Sequence, residues 1–235
     1  MVDIYRFSVM GEIGMKFQRG SIFRPEKEYY KFAGIILLIG GLQFLLALNL
    51  AEVLFPGYSV GRNSLSYLGG SVPTVEPSAM IFNFSVILLG ILSLVAVYLI
   101  LKSGGCRLFS SCLAISAIGA IGVGIFPEYL GGIHIFFAIL TFLFGSLATI
   151  FSYRLGINIP MVIVSMILGF LSLLILISLI LLGSGSNNPL ILYLGVGGTE
   201  RFIAYPSIFY LIALGGYLTS RGKDWVRIRF TDGYW

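Results

Sequence analysis

Glu128 and His134 stand six residues apart in the segment FPEYLGGIHIFFAILTF (126–142), and His134 is the only histidine of the chain. A carboxylate that orients an imidazole makes the ring a general base or a proton shuttle. Ser66 or Ser64, in NSLSYLGG (63–70), would supply the hydroxyl, since serine becomes a nucleophile when a neighbouring base takes its proton. No G-x-S-x-G elbow accompanies these serines. A lone histidine at a helix start serves equally as a hydrogen-bonded packing residue. Glu200 and Arg201 form a second ionisable pair, and the fork of an arginine suits a phosphate or another anion. His134 with Glu128, Glu200 or Glu76 would reach the ligand count of a metal site. Nothing here has H-E-x-x-H spacing, however, so no metal centre is assigned and no cofactor is identified. The glycine-rich LGVGGTERF (194–202) follows no strand and is not read as a nucleotide loop.

The chemistry of these groups depends on the solvent around them. The chain has 235 residues, of which 57% are hydrophobic and 11% charged, and its mean hydropathy is +0.98. Such values belong to polytopic membrane proteins. Apolar runs fall at 31–53, 78–102, 106–126, 132–153, 159–182 and 199–219, each near the ~20 residues that carry a helix across a bilayer. The reading is an all-α bundle of six transmembrane helices. A β-barrel would instead alternate in short segments.

Basic residues set the expected orientation. Thirteen of the fifteen Lys and Arg lie before the first span, in the second and fourth connections, or after the last span. This places both termini in the cytoplasm. Residues 1–30 lack the continuous apolar core of a cleavable signal and read as a cytoplasmic arm, 31–220 as the membrane domain and 221–235 as a cytoplasmic tail. The net charge of +5 suits anionic headgroups beside the membrane ends, so nucleic acid is not an expected partner. Membrane lipids are, with a membrane-protein partner or a second copy as further possibilities. Cys106 and Cys112 form no C-x-x-C motif and read as packing residues.

The opposite face collects Glu52, Glu76, Glu128 and Glu200 with His134 and the two remaining arginines, Arg62 and Arg201. The long connection 54–77 adds Asn63, Ser64, Ser66 and Tyr67 to that face, as a binding loop would. Along the fourth span, His134, Ala138, Thr141, Gly145, Ala148 and Ser152 recur at helical spacing as one small or polar stripe, matched by Cys112, Ser116, Ala120 and Gly124 on the third. The two stripes predict a tight hairpin. It would fold Glu128 back to within direct or one-water reach of His134.

The segments NSLSYLGG with IFNFSVILLGIL (81–92), GIFPEYLGGIHIFFAILTFLFG (124–145) and GTERFIAYPSIFYLIALGGYL (198–218) resemble the three signature regions of the DUF998 family of six-helix membrane proteins. The resemblance covers about residues 30 to 220. It implies that Asn63, Ser66, Asn83, Glu128, His134, Glu200, Arg201 and Tyr205 match the family's polar pattern, and it implies a prokaryotic, by preference archaeal, plasma membrane. A looser similarity joins the pattern to the Frag/DRAM group, one of whose members acts in remodelling of lipid anchors. That pattern often carries Asp where this chain has Tyr67. The combined expectation is an outward-facing polar pocket for a lipid headgroup or similar amphiphile, lined by Asn63, Asn83, Glu200, Arg201 and Tyr205, with Ser66, His134 and Glu128 as its reactive groups. An outer-leaflet lipid hydrolase or acyltransferase, a small-solute transporter and an accessory subunit are the alternatives.

Overall fold

The computed structural model describes residues 25–183, 185 and 188–221. Helix α1 (Pro25–Leu54) is followed by the one-turn α2 (Tyr67–Gly70), then α3 (Ser78–Lys102), α4 (Arg107–Ile125), a 3-10 turn at Glu128–Leu130, α5 (Gly132–Phe151), α6 (Ile159–Leu182) and α7 (Pro189–Arg221). No strand occurs among the described residues, and six of the helices are long and apolar enough to cross a bilayer. The chain is a multi-pass membrane protein. The expected arm and tail fall almost wholly outside the described residues.

Local sequence sets the helix ends. Asn158 Oδ1 accepts the Met161 N–H at 3.0 Å to cap α6, whose first turn carries Pro160, a residue with no N–H to leave unpaired there. Gly183, with φ 71°, ends it. Five of the six predicted spans coincide with a helix to within a few residues, apart from an extension of α1 back to Pro25. The sixth differs, because α7 begins at Pro189 rather than near residue 199 and is interrupted at Gly195 (φ 72°, ψ 173°). That backbone conformation is open essentially only to glycine. The run of glycines that reads as loop is thus a break inside one helical element.

The six long helices close a ring in the order α3, α1, α7, α6, α5, α4 and back to α3. Apolar clusters fill both halves of its interior. Phe109, Leu113, Tyr210 and Leu214 lie toward the end that carries Lys102, Arg107 and Arg154, and Phe44, Leu48, Phe82 and Val123 toward the loop end. The matched stripes of α4 and α5 face each other as the spacing predicts, with Ser116 Oγ donating to the Thr141 carbonyl at 2.8 Å. Hydroxyls also tie α6 inward: Ser172 lies 2.6 Å from Ser146 of α5 and donates to the Ile203 carbonyl of α7, also at 2.6 Å. Between bilayer-embedded helices such bonds add directional cohesion to close packing.

Candidate functional site

The connection between α1 and α3 lies on the loop end of the ring, and two leucines hold it there. Leu65 and Leu68 are buried among Phe44, Leu48 and Phe82. With these apolar side chains inserted, the polar atoms of 63–67 meet two carboxylates from opposite sides. From α7, Glu200 accepts the Leu65 N–H at 2.7 Å and the Ser66 hydroxyl at 3.3 Å. From the α4–α5 hairpin, Glu128 accepts the Ser64 hydroxyl at 2.9 Å on both oxygens, and Ser64 Oγ in turn accepts the Tyr67 N–H at 3.0 Å. Gly70 lies against the Glu128 backbone so closely that any Cβ there would collide with it. Asn83 completes the seat by donating to the Gly69 carbonyl at 3.0 Å.

Arg201 is buried, and the four N–H donors of its two terminal nitrogens are occupied within the protein. Nη2 donates to Glu52 Oε1 at 2.5 Å and to the Tyr58 hydroxyl at 2.8 Å, while Nη1 donates to the carbonyls of Val60 at 2.9 Å and Gly197 at 3.0 Å. Tyr58 passes its own proton to the Ser64 carbonyl at 2.8 Å; burial pushes its phenol up to about 12, against the lowering influence of Arg201. Asn63 shapes the same turn by accepting the Ser59 N–H at 2.9 Å. The residue expected to hold an anion is thus engaged by the protein itself. Its guanidinium neutralises Glu52 and saturates loop carbonyls, because a buried charge is tolerated only when paired and hydrogen-bonded.

The expected reactive set is also distributed differently. His134 is buried, and its Nδ1 lies 2.7 Å from the Phe126 carbonyl. A carbonyl only accepts, so the proton sits on Nδ1. The ring thereby staples the first turn of α5 to the end of α4. Glu128 bonds Ser64 and Ser66 bonds Glu200, and of the direct or one-water contact expected between Glu128 and His134 the direct bond is not formed. The hairpin does fold tightly, and His134 bonds the Phe126 carbonyl. Tyr205 is half-buried beside Phe209, at 5.6 Å between ring centroids. Sequence reasoning gave no partner to Glu52 and no role to Tyr58. The available signal was that Glu52 shares a face with Arg201.

Below Glu200 and Ser66 the ring encloses a cavity of about 110 Å³. Its wall follows α7 from Glu200 to Leu214 and reaches Phe109 and Ala148 near the other end. The fourteen helical steps between them span roughly 21 Å, so the space is long and narrow. The wall is overwhelmingly apolar, apart from the Glu200 carboxylate at its mouth and a few hydroxyls. Among the described residues Glu200 has no basic partner, since the Arg201 beside it is paired with Glu52. Nor does any group of three or more His, Cys, Asp or Glu side chains among them assemble as a metal site.

No curated protein and no solved structure matches this chain. A family model described as a protein of unknown function (DUF998) matches residues 38–217, a span that contains most of the ring, the seated loop and every residue of the cavity mouth. With that match over most of its length, and with six apolar helices in its fold, the chain belongs to the DUF998 family.

Proposed function

We propose that the protein binds a single-chain amphiphile within the ring, with the apolar chain in the cavity and the polar head at Glu200 and Ser66. The observation that carries this reading is the long, narrow, apolar cavity capped at one end by a carboxylate without a basic partner. Ligand sites commonly combine such apolar walls with a few convergent polar groups. The head is one that donates hydrogen bonds, an alcohol or an amine, because a carboxylate accepts and the neighbouring guanidinium is already occupied. A phosphate head fits poorly. On the positive-inside reading, the mouth opens toward the outer leaflet of a prokaryotic plasma membrane.

The test is mass spectrometry of lipid retained by protein purified in mild detergent. Wild type should carry a single-chain amphiphile, and Ala204→Phe, which fills the cavity from α7, should lose it while the exposed control Phe202→Ala keeps it. Wild-type protein free of amphiphile, or a folded Ala204→Phe protein that retains it fully, would overturn the reading.

A further inference from the structure

Two turns below Glu200 the cavity wall becomes polar again. Ser207 lines the cavity, and its buried hydroxyl has no hydrogen-bond partner. Across from it, the Ser116 proton is committed to the Thr141 carbonyl at 2.8 Å and the Thr141 proton to the Phe137 carbonyl at 2.9 Å. Both oxygens keep lone pairs but have no proton left to offer. Gly145 leaves the intervening space open: a Cβ built there would stand 3.1 Å from Ser116 Oγ and 4.0 Å from Ser207 Oγ. A buried hydroxyl without a partner is costly in apolar surroundings, and three helices converge to present this one beside spare acceptors. Glu200 and Ser207 are seven residues apart on the same face of α7, about 10 Å along the axis.

We propose that the amphiphile carries a second hydroxyl about 10 Å below its head, held between Ser207 and Ser116. This rests on the amphiphile reading above and specifies its ligand class. The group must accept a proton from Ser207 and donate one to the Ser116 or Thr141 oxygen. An ester carbonyl or an ether can only accept, so it satisfies half of that requirement. A hydroxyl satisfies both. One ordered water offers the same pair of bonds, and the experiment separates the two.

The probes are radiolabelled hexadecanol and its counterpart with an added mid-chain hydroxyl, equilibrated in mixed micelles with the delipidated full-length protein. Wild type is expected to retain the diol about ten-fold better, the factor that corresponds to one or two net hydrogen bonds. Ser207→Ala should bring the ratio near one, whereas Ser207→Thr, which keeps the hydroxyl, should preserve the preference. Equal retention of both probes by wild type would overturn the second-hydroxyl assignment while leaving the amphiphile reading intact. Retention of neither would overturn both.

Discussion

Arg201 illustrates how a single residue changes meaning once its neighbours are known. From sequence it stands beside Glu200 as a candidate anion holder, yet its guanidinium faces Glu52, Tyr58 and the carbonyls of Val60 and Gly197. Removing one partner of a buried pair leaves the other charge uncompensated, which costs about 3–5 kcal/mol, and the lower end applies here because Glu52 is only partly buried. Arg201→Ala should therefore lower stability by that order, measured by denaturant or thermal unfolding in detergent. The paired replacement Arg201→Met with Glu52→Leu should recover much of the loss. An Arg201→Ala protein as stable as wild type would contradict this account. Glu200, by contrast, accepts from the loop with oxygen lone pairs to spare, as the proposed amphiphile head requires.

At the scale of elements, the loop end depends on two interruptions that fit each other. The break in α7 brings the Gly197 N–H to the Gly61 carbonyl at 3.0 Å, and Gly195 stands too close to Gly61 to carry a side chain. Gly195→Ala must add a Cβ at that contact and adopt a backbone region open essentially to glycine, for which about 1–3 kcal/mol is a fair scale. Its expected phenotype is a lower unfolding midpoint together with faster proteolysis around Val60, where the loop would lift from α7. Unchanged stability and unchanged cleavage would show that the break does not seat the loop. The α4–α5 hairpin is held differently, by His134 on the Phe126 carbonyl and by Glu128 on Ser64. Glu128 from this hairpin and Glu200 from α7 thus reach the same loop.

At the scale of the whole molecule, the closed ring and the charge distribution make separate claims. Ring closure leaves an interior space lined by α1, α3, α4, α5 and α7. The basic residues at the end opposite the seated loop argue that this end is cytoplasmic. In a cysteine-free background, a single cysteine at Val72, which is exposed on the long loop, should react with an impermeant maleimide in intact cells. One placed at Lys102 should react only after permeabilisation. The reverse pattern would invert the topology and point the cavity mouth inward.

Hydropathy and the positions of charge were enough to fix the class and the helix count, because a bilayer demands long apolar helices with satisfied backbones whatever their packing. The stripes on 112–124 and 134–152 likewise foretold the α4–α5 contact, since small residues at helical spacing have few other uses in an apolar face. Partnership among the polar residues was not legible. Glu52 and Arg201 lie 149 positions apart, Ser64 and Glu128 lie 64 apart, and no local periodicity selects one long-range hydrogen bond over another. The sixth span was misjudged at its start because a glycine-rich run has the same composition as a loop, and only the Gly61 backbone packed against it reveals a broken helix. The cavity, too, belongs wholly to tertiary structure. It is a gap left where α1, α3, α4, α5 and α7 meet, and a gap depends on the shapes of all its walls at once.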